Sequence, residues 1–157
     1  MKKLYTFMNY FIGVLIMVAT VLLFINIILR YFFGANMSWT EEFVRYSMIW
    51  ITFLGMATCF HKGIHFSIDI LIKSVSIEKE KWLQLLINII SIIFVSMLIY
   101  FGLQITIFNY HSGQVTPSLG LDIFWIYLAI PVGGALSILH LISNTINLFK
   151  NKNAEYK

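Results

Sequence analysis

Four long stretches without an Asp, Glu, Lys or Arg dominate this chain of 157 residues: Leu4–Leu29, Tyr46–Phe60, Trp82–Tyr110 and Ile123–Phe149. Hydrocarbon about 30 Å thick is crossed by roughly 20 apolar residues at 1.5 Å rise each. Each stretch, with the second extended back to Trp39, reaches that length. Runs of that length fit spanning helices. Only 11% of the residues are charged and 59% are hydrophobic, against about 25% charged in soluble domains. A globule of this composition in water would carry large apolar patches. The expected fold is all-α: one integral membrane domain, residues 1–157, with four transmembrane helices at about 4–29, 39–60, 82–110 and 123–149.

Lys2 and Lys3 precede the first stretch as in a signal peptide. That stretch is too long for a signal-peptide core, and no small-residue cleavage site follows before Arg30. It is read as a retained helix. Four spans put the N-terminus, the middle loop and the C-terminus on one side. That side holds Lys2, Lys3, Lys62, Lys73, Lys79, Lys81, Lys150, Lys152 and Lys157; the other holds Arg30 and Arg45. The positive-inside rule then places both termini in the cytoplasm. The net charge of +4 gathers in no patch, so it does not point to nucleic acid. Cys59 is the only cysteine, which excludes an internal disulfide and dithiol chemistry.

Ser38 and Glu41 have the spacing of a capping box at the start of the second helix. Between the second and third spans, Ile68, Leu71, Ile72 and Val75 recur at i, i+3, i+4 and i+7, while Asp69, Lys73 and Ser74 occupy other faces. This predicts a short amphipathic helix on the inner membrane surface. Trp39, Trp82 and Trp125 stand near span ends, as in an aromatic belt.

The candidate functional residues gather at helix ends. Arg45 is within helical reach of Glu41 and Glu42, at i,i+4 and i,i+3. Such a cluster suits an ion path or a polar contact with a partner; its plainer reading is a capped, locally neutralised helix end. His61 and His65 share one face if the helix continues, a spacing two metal ligands can use. His140 lies further along the fourth span and His111 near the opposite side. HExxH fails because Lys62 stands at the glutamate position. Histidines at interfaces or in hydrogen bonds are the default, and no metal or cofactor is expected. Ala129, Gly133 and Ser137 form a small-xxx-small face beside Pro131, where another helix can approach closely. Asn26, Asn88 and Gln104 are polar groups in apolar runs, suited to interhelical hydrogen bonds. No span carries a central carboxylate to bind a proton or Na⁺, and no catalytic or phosphate-binding motif is present.

The ordered segments INIILRYFFGANMSWTEEFVRYSMIWITFLGMA, HKGIHFSIDIL and GQVTPSLGLDIFWIYLAIPVGGAL resemble the small membrane subunit of TRAP transporters, the tripartite ATP-independent periplasmic (DctQ-like) family. Arg30 and Tyr31 match that family's end of the first helix. Trp39, Glu41, Glu42 and Arg45 match its Trp–x–Glu–Glu segment and following arginine, and Phe53, Leu54 and Gly55 the middle of the second helix. His65 and Asp69 match the histidine and acidic residue after it, and Pro117, Leu119, Gly120, Tyr127 and Pro131 the last loop and fourth helix. Asp122 departs, standing where proline is expected. The resemblance implies a non-catalytic subunit in the bacterial inner membrane. It would brace a large membrane subunit and help dock a periplasmic substrate-binding protein during organic-acid import driven by Na⁺ or another ion gradient.

Two other readings compete. A four-helix haem- or quinone-associated anchor subunit of a respiratory enzyme would show a Soret band if it held haem. A small multidrug-type proton antiporter needs an acidic residue in its first span, and Leu4–Leu29 has none.

Overall fold

The computed structural model describes residues 2–62 and 77–151. Helix α1 is Lys2–Phe33, α2 is Ser38–Lys62, α3 is Ile77–Ser112, α4 is the single turn Phe124–Tyr127, and α5 is Ala129–Asn151. Four stretches are long and apolar enough to cross a membrane: Leu4–Phe33, Ser38–Phe60, Trp82–Ser112 and Phe124–Ile146. The all-α membrane architecture is the observed one. The amphipathic helix expected near Ile68–Val75 lies outside the described residues, as do His65 and Asp69.

The last span is one rod with a defect. In an unbroken helix the N–H of residue 131 would bond the Tyr127 carbonyl, but Pro131 has no N–H. Helix α4 therefore ends at Tyr127, and the ladder resumes with Val132 N–H on the Leu128 carbonyl at 3.2 Å. Leu128 keeps helical angles, φ −58° and ψ −26°, so the chain does not turn there.

The principal helix contacts run α1 on α2, α2 on α5, and α5 on α3. A closed bundle would also pack α3 on α1, and that pair is not among the principal contacts of the described residues. The helices thus form an open row with α5 and α2 inside and α1 and α3 at the edges. Burial follows that order: 44% of the most apolar stretch of the last span is buried, against 17% in α3 and 11% in α1.

Small residues set the inner spacing. Ala129, Pro131, Gly133 and Ser137 are all buried in α5. A Cβ on Gly133 would stand 2.6 Å from the Phe53 carbonyl oxygen of α2, so only glycine permits this approach. At Gly133 the small-residue face thus meets α2 within the chain. On the other side, a Cβ on Gly102 of α3 would meet Ile130 Cγ2 at 2.6 Å. Polar groups pin the same contacts. Asn144 Nδ2 donates to the Phe60 carbonyl at 3.0 Å, and Asn88 Nδ2 donates to Thr145 Oγ1 at 3.4 Å. Gln104, by contrast, is exposed.

Candidate functional site

One cluster of polar contacts lies at the end of the row where α1 gives way to α2 and where α3 and α4 are joined. Helix α1 ends at Phe33, Gly34 takes φ 62°, and the Ala35 N–H returns to the Leu29 carbonyl at 3.2 Å. A glycine in the left-handed region is a common way to stop a helix. The chain then re-enters a helix after only four residues. Buried Asn26, on α1, accepts the Met37 N–H on its side-chain oxygen at 3.0 Å. Ser38 is already the first residue of α2, so the group anchoring this entry comes from the preceding helix, across eleven residues.

On the far side of α2, Glu42 reaches the loop between α3 and α4. Both of its carboxylate oxygens accept the Ser118 N–H, at 3.2 and 3.1 Å, and Oε2 also accepts the Leu119 N–H at 3.1 Å. The loop is built to present those amides. Val115 pairs with Asp122 in an isolated antiparallel bridge, and the Ile123 N–H bonds the Gln114 carbonyl at 3.0 Å. Within that frame, buried Thr116 accepts the Leu121 N–H on its hydroxyl at 3.0 Å, and its carbonyl accepts the Gly120 N–H at 3.0 Å. Gly120 has φ 64°, a conformation that costs glycine least. The tight turn leaves the Ser118 and Leu119 amides pointing out of it, and a carboxylate is the strong acceptor for such a pair. Asp122, the departure from the family pattern, serves this loop through its backbone: its carbonyl accepts the Trp125 N–H at 3.1 Å.

Glu42 is therefore committed to the loop, and among the described residues Arg45 forms no ion pair with Glu41 or Glu42. Instead Arg30 from α1 joins Glu41 and Arg45 around a cleft of about 370 Å³ between α1 and α2. All three side chains are exposed. Thr40 lines the same cleft. It is 1% exposed, and its hydroxyl oxygen is buried with no hydrogen-bond partner. Trp39, its neighbour in sequence, is 36% exposed and does not line the cleft.

The histidines do not gather. His111 is exposed at the end of α3 near the loop, whereas His140 is buried in α5, towards the other end of the row. The side chains of His61 and His65 lie outside the described residues. Among the described residues no three His, Cys, Asp or Glu side chains stand close enough to hold a metal ion.

Sequence reasoning located Arg30, Trp39, Glu41, Glu42 and Arg45 but not Thr40, Thr116 or the anchoring role of Asn26. Pro117, Leu119 and Gly120 were legible only as matches to the family's last loop. The carboxylate partner of this loop, 76 residues earlier, had no local signal.

Comparison with known proteins agrees with this architecture. Residues 19–151 match the family model described as Tripartite ATP-independent periplasmic transporters, DctQ component. The C4-dicarboxylate TRAP transporter small permease protein DctQ of Rhodobacter capsulatus is 30% identical over 103 residues, 66% of this chain and 45% of that protein. The ectoine TRAP transporter small permease protein TeaB of Halomonas elongata is 27% identical over 122 residues, 78% of this chain and 62% of that one. The chain thus spans less than two thirds of each. The sialic acid TRAP transporter permease protein SiaT of Haemophilus influenzae is 25% identical over 132 residues, which are 83% of this chain but 21% of SiaT. With the family model covering most of its length, this four-span membrane protein belongs to the DctQ-component family of tripartite ATP-independent periplasmic transporters.

Proposed function

We propose that this chain is the non-catalytic small permease subunit of an ion-gradient-driven TRAP transporter that imports an organic acid, a carboxylate or an acidic sugar. In this role it braces a large membrane subunit and helps dock a periplasmic binding protein. It lies in the bacterial inner membrane with both termini cytoplasmic, the orientation that the basic residues favour.

The observation that carries the bracing role is the open row. Its edge helices bury little against the rest of the chain, yet α3 presents Ile93, Met97, Phe101 and Phe108, each more than half exposed. Lipid alone can cover such a flank, but large apolar side chains recurring at i+4 and i+7 also suit ridges-into-grooves packing by another membrane subunit. The relation to SiaT supports that reading, because there a segment similar to this chain is joined to a much longer permease. The names of two relatives, which specify a C4-dicarboxylate and sialic acid, support an acidic substrate.

A photo-crosslinking amino acid at Phe101, in cells expressing the whole transporter, tests the bracing role. The reading predicts one discrete adduct with the large membrane subunit. An adduct pattern restricted to lipid, together with failure of the two subunits to copurify, contradicts it.

A further inference from the structure

We propose that the cleft between α1 and α2 is a binding site for the headgroup of an anionic phospholipid. Charge is the first argument. Arg30 and Arg45 face it with one carboxylate, Glu41. The other nearby carboxylate, Glu42, is occupied by the Ser118 and Leu119 amides. The cleft therefore carries one net positive charge, which a phosphodiester monoanion neutralises. Guanidinium groups suit this ligand because their planar fork bonds two phosphate oxygens at once.

Thr40 adds a second, independent observation. Its hydroxyl is buried without a partner, while the residue lines the cleft. A buried hydroxyl left unpaired is costly, and native structures satisfy nearly all of them. In the proposed site an oxygen of the ligand is the partner of this hydroxyl, met by rotation of the Thr40 side chain towards the cleft.

Shape selects a lipid over a small oxyanion. Leu23 and Ile27 continue the α1 wall away from Arg30, and Val44 and Met48 continue the α2 wall away from Glu41. Leu23 lies seven residues from Arg30, and Met48 lies seven from Glu41 and three from Arg45, so at 1.5 Å per residue the apolar gutter runs about 10 Å past Arg30 and Glu41 and about 5 Å past Arg45. The helices lie in a bilayer, so this gutter points into hydrocarbon, where an acyl chain fills it. The charges stay at headgroup level, where arginine side chains are stable.

Native mass spectrometry of the full-length protein in neutral detergent tests the assignment, with phosphatidylglycerol, phosphatidylcholine and inorganic phosphate as separate probes. The expected result is one retained phosphatidylglycerol per chain, in about tenfold preference to phosphatidylcholine. Arg30→Gln and Arg45→Gln should each reduce that adduct several-fold. Thr40→Val, which removes the hydroxyl at nearly constant volume, should also reduce it while leaving the helical circular dichroism unchanged. Equal retention of the two lipids overturns the proposal. So do phosphatidylglycerol adducts unaffected in all three variants. Displacement of phosphatidylglycerol by millimolar inorganic phosphate also overturns it and reassigns the cleft to a small oxyanion. Loss of the adduct when the large subunit is present makes the cleft a protein contact, with the same consequence.

Discussion

Glu42 Oε2 accepts the backbone N–H of Leu119 at 3.1 Å, tying the second turn of α2 to the loop that joins α3 and α4. With the two bonds to Ser118, this carboxylate fixes how the loop sits over the end of the row. A helix-borne carboxylate on a pair of amides is a charge-assisted contact, stronger than a neutral one. It also accounts for the exposed setting of Arg45, whose nearest carboxylate by sequence has another task.

Glu42→Ala should loosen the loop without unfolding the helices. Losing hydrogen bonds to a charged acceptor costs about 1–2 kcal/mol at a partly exposed site, so exchange at the Ser118 and Leu119 amides should rise about tenfold. Glu42→Gln keeps acceptor capacity and should fall between. Hydrogen exchange read by mass spectrometry over residues 113–123 checks this. Unchanged protection in Glu42→Ala would show that the loop is held by its own bridge.

Gly133→Ala should destabilise the protein by about 1–3 kcal/mol, the range for overpacking a fitted contact. The new Cβ meets Phe53 backbone at 2.6 to 2.8 Å, and backbone cannot rotate away. Gly102→Ala meets Cγ2 and Cβ of Ile130 at 2.6 and 3.1 Å, side-chain rather than backbone atoms, and should cost less. Gly13→Ala meets nothing within 4 Å and should be neutral or stabilising, since alanine favours a helix. Thermal unfolding in one detergent ranks the three. An order other than Gly133, Gly102, Gly13 would contradict the packing described for α2, α5 and α3.

Asn26→Leu should weaken the turn between α1 and α2 by about 1 kcal/mol, the usual effect of removing a side-chain cap. The Met37 N–H loses its acceptor. Faster exchange at Met37, with α3 and α5 unaffected, is the expected signature.

How far all this was legible depends on the range of each contact. Four charge-free runs announce four spanning helices because about 20 apolar residues are what one helix needs to cross hydrocarbon. Pro131 was visible as a helix defect, because the missing N–H is a property of one residue. The row was not visible. Nothing in the apolar stretches says that α5 lies between α2 and α3, since Gly133 and Gly102 acquire meaning only once Phe53 and Ile130 stand opposite them. The spacing of Glu41, Glu42 and Arg45 suggested a local ion cluster. The loop amides compete for the middle carboxylate from 76 residues away, a separation no periodicity encodes.

Orientation is tested by reporter fusions. The nine basic residues on one side and two on the other predict that fusions near residues 35 and 115 are active in the periplasm. Fusions near residue 72 and at both ends should be active only in the cytoplasm. A C-terminal fusion active in the periplasm would reverse the assignment.

The central claim is that this chain serves a transporter without being one. Its four apolar runs hold no Asp, Glu, Lys or Arg at mid-depth to bind a substrate anion or a coupling ion, and intramembrane sites are usually built from such groups or from helix ends broken at mid-depth. The direct measurement is uptake of radiolabelled organic acids, including a C4-dicarboxylate and sialic acid, into liposomes under a Na⁺ or proton gradient, with each component omitted in turn. The account predicts no uptake by this chain alone, uptake when the large subunit and binding protein are added, and loss of that uptake when this chain is left out. Gradient-driven uptake by this chain alone, or full activity of the other two without it, would contradict it.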